Sequence, residues 1–179
     1  MTKKPTQTIA YASILIAFGI LIPMIMPIKV IIGPASFTLA SHVPIFLASF
    51  ISLPIAFFVS LGTTLGFFLA GFPIVIVMRA LSQVIFALIA ADYFTNKKHL
   101  QKSVLEILPF AILINIIHGL GEFVAVYLMT STAHMDMAYI WSLVGLVGFG
   151  TLIHGIVDFY LAFALWKILT DKVGLKLLT

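Results

Sequence analysis

Arg79 is the only arginine in the chain, and it interrupts the apolar run Phe72-Pro-Ile-Val-Ile-Val-Met-Arg-Ala-Leu-Ser-Gln-Val-Ile-Phe-Ala-Leu-Ile-Ala-Ala91. A charge at that depth in a membrane-length segment costs about 2.5–3.5 kcal/mol on insertion scales, so it calls for a partner or a ligand. Its planar fork can hold a carboxylate with two parallel hydrogen bonds, which lysine cannot copy. Gln83 follows one turn later on the same face. Two further runs offer partners: Ile116-Ile-His-Gly-Leu-Gly-Glu-Phe123 and Leu152-Ile-His-Gly-Ile-Val-Asp-Phe159. Each sets a histidine and a carboxylate four residues apart, on one helical face. With Asn115, His118 and Glu122 make a polar stripe at spacings of three and four, which in lipid must point inward.

These residues need helices in a membrane to position them. The chain of 179 residues is 62% hydrophobic and 9% charged, and its mean hydropathy is +1.21. A soluble domain of that length needs more polar surface. Without cysteine there are no disulfides, thiolate metal sites or cysteine nucleophiles. The net charge of +4 does not point to nucleic acid, because the lysines lie between or beyond the apolar runs, where orientation in the membrane explains them. The first run is long enough to span and no small-residue cleavage pattern follows it, so it reads as a span and not a cleaved signal.

Four spans are plain, at about 8–28, 72–94, 104–129 and 142–168. The stretch from His42 to Gly71 is too long for one span and short for two. Charge settles the count. If the stretch turns at Ser52-Leu-Pro54 and crosses twice, as 42–52 and 54–71, then Lys3, Lys4, Lys97, Lys98, Lys102, Lys172 and Lys176 all fall on one face. The expectation is an all-α integral membrane protein, 1–179 as a single domain, with six transmembrane helices in one bundle and both termini cytoplasmic. Trp141 and Tyr139 mark the outer end of the last span, Trp166 its inner end, and Tyr93 the inner end of the fourth. The first outer loop, 29–41, is too apolar for a solvated loop and should fold back over the bundle or lie at the interface.

Arg79 then lies about two turns below the outer surface. It can face a ligand carboxylate or pair with Glu122 at similar depth, and the two are compatible. Asn115, His118 and Glu122 can line a ligand site or serve interhelical hydrogen bonds. His154 falls near mid-membrane; Asp158, in the inner half, suits a structural partner for His154 or a nearby hydroxyl. A transition-metal site using His118, Glu122 and His154 is the alternative, since imidazole and carboxylate ligate zinc, iron or nickel. An intramembrane hydrolase is a further one, but the paired-glutamate and His-Glu-x-x-His patterns are absent, so the chain is not expected to be an enzyme. Small residues recur at helical spacing: Ala10, Ser13 and Ala17 on the first helix, suited to docking another membrane subunit, and Gly62 and Gly66 on the third, suited to packing inside the bundle. No Walker A sequence occurs, and no inverted halves are evident, so energy for solute movement is expected from a partner.

Over essentially its whole length the chain resembles the substrate-binding S components of energy-coupling factor (ECF) vitamin transporters. The resemblance lies in the size, the six spans, the apolar first outer loop, and Gly33-Pro-Ala-Ser-Phe-Thr-Leu-Ala-Ser-His-Val-Pro44. Gly62-Thr-Thr-Leu-Gly-Phe-Phe-Leu-Ala-Gly-Phe-Pro73 and Arg79-Ala-Leu-Ser-Gln83 are similar to the niacin branch. It implies a vitamin site near the outer face closed by outer loops, in a prokaryotic cell membrane, and no cofactor. It also implies partners: a transmembrane coupling subunit and two cytosolic ATPases. The family's alanine-x-x-x-alanine docking motif corresponds here to Ser13-Ile-Leu-Ile-Ala17, with serine for the first alanine. Nicotinate or a related carboxylate is the first expectation, held by Arg79, Gln83, Asn115, His118, Glu122 and His154, because both tryptophans fit interface positions and leave none to stack on a broad flavin or pterin.

Overall fold

A computed structural model describes residues 5–33, 35–131 and 136–172. Lys3, Lys4 and Lys176, invoked above for orientation, lie outside the described residues, as do Pro34 and part of the 130–141 loop. Among the described residues six helices follow in order: α1 Pro5–Ile25, α2 Val43–Ile51, α3 Leu53–Leu69, α4 Ile74–Tyr93, α5 Val104–Thr130 and α6 Met137–Lys172, the last with π-helical stretches at Val144–Phe149 and Ile168–Lys172. A 3₁₀ turn, Lys97–Gln101, joins α4 to α5. Helices α1, α4, α5 and α6 are long and apolar enough to cross a membrane, and α3 is a shorter apolar helix.

The run from His42 to Gly71 does break where proline chemistry predicts. Ser52 is extended (φ −170°, ψ 158°), and Pro54 enters α3 in its first turn, where the missing N–H costs nothing. The nine residues of α2, all buried, extend only about 13 Å. Lys97 reaches back to close that helix, its Nζ donating to the carbonyls of Phe50 (2.6 Å) and Ile51 (2.9 Å). Helix α5 opens on a capping box, with the Ser103 hydroxyl accepting from the Glu106 N–H and the Glu106 carboxylate accepting from the Ser103 N–H.

The loop after α1 is not helical. It forms an antiparallel hairpin, β1 Lys29–Ile32 and β2 Ala35–Thr38, with Val30 opposite Phe37 and Ile31 opposite Ser36. Strand β1 is exposed, whereas Ala35 of β2 is buried against Val126, Leu143 and Val147. Phe37 lies over Gly150, where a β-carbon would strike the ring. The hairpin therefore closes one end of the bundle, as the apolar loop led us to expect, but as strands that pair their own backbone groups. The opposite half is filled by aromatic side chains: Phe50, Phe94, Phe159, Phe163 and Trp166 pack mostly edge to face, with Phe50 and Phe94 at 4.7 Å between centroids.

Small residues set the helix spacing. Ile16 and Ile20 of α1 sit on Gly62 and Gly66 of α3, so the glycine stripe packs inside the bundle. Ala10, Ser13 and Ala17 face outward on the exposed side of α1. Between α5 and α6, a β-carbon on Gly119 would lie 2.8 Å from the Gly148 carbonyl oxygen, a backbone atom with no freedom to swing away. Gly119→Ala should therefore lower thermal stability in detergent by about 1–3 kcal/mol. Gly145, with nothing near its missing β-carbon, is the control. Gly145→Ala should be neutral or stabilising, and equal losses in the two variants would refute this account of the contact.

Candidate functional site

Glu122, buried on α5, is the hub of the polar interior. Arg79 of α4 donates to its Oε2 from Nη2 (2.6 Å) and Nε (3.1 Å). Thr151 of α6 donates to the same oxygen at 2.8 Å. Gln83 donates to Oε1 at 3.2 Å, and His118 Nε2 lies 3.3 Å from Oε1. Helical periodicity produces this convergence: Arg79 and Gln83, and His118 and Glu122, are each one turn apart. The ion pair foreseen from the sequence is thus present. The guanidinium is not confined to it, since Nη1 donates to Ser36 Oγ and Nη2 to the Ser36 carbonyl, each at 3.2 Å. Its carbon also stands 6.0 Å from the centre of the Phe37 ring. One arginine joins α4, α5 and the hairpin.

A second carboxylate is buried on the last helix. Asp158 of α6 accepts backbone N–H bonds from Ala40 (2.8 Å) and His42 (2.9 Å), and its Oδ2 lies 3.1 Å from His42 Nδ1 and 3.3 Å from His154 Nε2. Ala40 adopts φ +68°, unusual for a residue with a β-carbon, in the turn that presents these N–H groups. His42 bridges the two clusters: its Nε2 is 3.0 Å from Gln83 Nε2, and its ring stands edge-on to His118 at 4.5 Å and to His154 at 4.9 Å. The trio considered for a metal, His118, Glu122 and His154, is therefore not one cluster, because His42 stands between its members.

A cavity of about 150 Å³ opens beside Arg79, under the hairpin. Its polar wall includes Arg79, Gln83, Glu122, His42, Ser36 and Thr63, with Lys29, Thr38 and Ser41 from the hairpin and its loop, and Phe67, Phe72 and Ile76 stand among its apolar lining. Phe67 and Phe72 stack at 4.6 Å. Cavities of this size hold a single six-membered aromatic ring. Of the residues expected from the sequence, Arg79, Gln83 and Glu122 reach this wall. Asn115 and His118 lie behind Glu122, packed against Gly155, and Asn115 Oδ1 and His118 Nδ1 have no hydrogen-bond partner there among the described residues. His154 is not on this wall; it stands behind His42 and Ser41, with the Ser41 Oγ 3.1 Å away.

Sequence reasoning passed over His42, Ser36, Thr63 and the Phe67–Phe72 pair. The criterion that found Arg79, an ionisable residue in an apolar run, applies equally to His42 at the head of Val43–Ile51. Ser36 had no such signal, because its role depends on the hairpin.

Buried charge around a small cavity, in a bundle of apolar helices, defines a multi-pass membrane protein that binds a small polar molecule. The chain is 36% identical over 170 residues to the niacin transporter NiaX of Lactococcus lactis subsp. cremoris (strain MG1363), covering 94% of this chain and 77% of that one. It belongs to the NiaX family, as a multi-pass protein of the prokaryotic cell membrane. No protein-family model matches the chain, and no solved structure matches it.

Proposed function

We propose that this protein captures nicotinate at the outer face of the cell membrane and takes it up as the S component of an ECF transporter, together with a coupling subunit and two ATPases. Arg79 carries the reading: a buried guanidinium on the wall of a one-ring cavity suits a planar aromatic carboxylate. In this orientation the hairpin end faces outward, and α2, too short at about 13 Å to cross alone, completes its crossing with the loop that precedes it and turns back into α3, giving six crossings in all. The basic segment Lys97–Lys102 then lies inside, as the positive-inside rule requires. The vitamin ring rests between Phe67–Phe72 and Ile76, its carboxylate on Arg79, while Gln83 and His42 offer hydrogen bonds. The family relationship to a niacin transporter supports the same substrate. Asn115, His118 and Glu122 hold the arginine side of the site in place from behind.

Mass spectrometry of ligand co-purified from cells should find nicotinate. Titration of ligand-free protein should then rank nicotinate above its neutral amide by about 10-fold or more, because the amide forfeits a charge-assisted bond. Equal binding of acid and amide would remove the carboxylate from the recognition.

A further inference from the structure

We infer that His42, His154 and Asp158, with Ser41, form a resident divalent-metal site, best matched to zinc, that clasps the end of the hairpin loop to α6. Two sets of potential ligand atoms lie close enough together to share an ion: His42 with His118 and Glu122, and His42 with His154 and Asp158, each within 4.8 Å. Electrostatics separates them. In the first set Glu122 already carries the guanidinium of Arg79 at 2.6 Å and accepts from Gln83 and Thr151, so a second positive charge would meet repulsion and few open lone pairs. In the second set the carboxylate meets imidazoles and backbone N–H groups. A divalent ion here would add its charge directly to a fully buried carboxylate, and neutral imidazoles are ready ligands for it.

The spacing fits as well. Four donor atoms at zinc–ligand distances in tetrahedral array are about 3.3–3.5 Å apart. Here His42 Nδ1 and His154 Nε2 lie 3.1 and 3.3 Å from Asp158 Oδ2, and Ser41 Oγ lies 3.1 Å from His154 Nε2 and 3.4 Å from His42 Nδ1. These match four of the six edges of such a polyhedron, with Ser41 or a water in the fourth position, and the His42–His154 edge lies within 4.8 Å. The Ala40 and His42 N–H groups on the same carboxylate supply the outer hydrogen bonds that orient a metal-ligating aspartate. A metal here would fix the loop that carries His42 to the cavity wall, and it does not depend on which vitamin the cavity holds.

The test uses the whole protein, purified without a histidine tag, stripped with chelator, and equilibrated with zinc before free metal is removed. Elemental analysis should give about one zinc per chain. Cobalt in its place should give the visible absorption of a four-coordinate centre. Both signals should vanish in Asp158→Asn and His154→Ala and persist in His118→Ala. Folded wild-type protein that retains no zinc overturns the proposal whatever the variants do. So does zinc that is lost in His118→Ala yet kept in Asp158→Asn.

Discussion

Arg79→Lys should weaken nicotinate binding by about 10- to 100-fold, the cost of a charge-assisted contact of about 1.5–3 kcal/mol. The ammonium keeps a positive charge beside Glu122, so the buried carboxylate is not left bare. What lysine cannot do is serve Glu122, Ser36 and a ligand together, because it lacks the fork that lets one face grip α5 and another the hairpin. Arg79→Met removes the charge altogether and should add a stability loss of about 3–5 kcal/mol, since breaking a buried pair strands the surviving carboxylate. Isothermal titration separates the two effects from thermal unfolding. If Arg79→Lys binds as wild type and only unfolds sooner, the guanidinium serves the fold alone.

The second large effect lies on the outer surface of α1. Tryptophan at Ser13 or Ala17 should abolish nicotinate uptake by cells expressing the coupling subunit and ATPases. Both positions are exposed, Ser13 one turn before Ile16 and Ala17 one turn before Ile20, on the outward-facing flank of the ridge that packs on α3. A large side chain there would hold a partner helix away without disturbing the bundle. Binding to the purified variants should stay within about 2-fold of wild type, well under the 1.4 kcal/mol that a tenfold change represents. Normal uptake in both variants, or pumping by the wild-type chain alone in ATP-free vesicles, would exclude dependence on a partner at this surface.

What could be read beforehand follows from the period of the helix and the price of charge in lipid. Arg79, Gln83, His118 and Glu122 were legible because each pair shares a face, and the structure joins all four at one carboxylate. The break at Ser52 was legible from Pro54. The glycine stripe of α3 was read as internal packing and is so. The hairpin was not foreseen, because its eight strand residues, five of them apolar, carry no clear alternation on either side of Gly33-Pro34. Its consequences were lost with it: Ser36 on the arginine and the Ala40–His42 turn on Asp158. Nor did composition reveal the π-helical stretch Val144–Phe149, which lies just before Thr151 and departs from the 3.6-residue period on which face assignments rest.

Arg79 has a kinetic meaning as well. Ser36 and Glu122 hang from the same guanidinium, so lifting the hairpin is coupled to the hold on the buried carboxylate. Anything that leaves the cavity past the hairpin waits for that event. Residence time in the site is then governed by how often the arginine lets go of the loop, whereas affinity is governed by what it holds once the loop is shut. The two can be varied independently by substitutions at position 36 that keep this arginine.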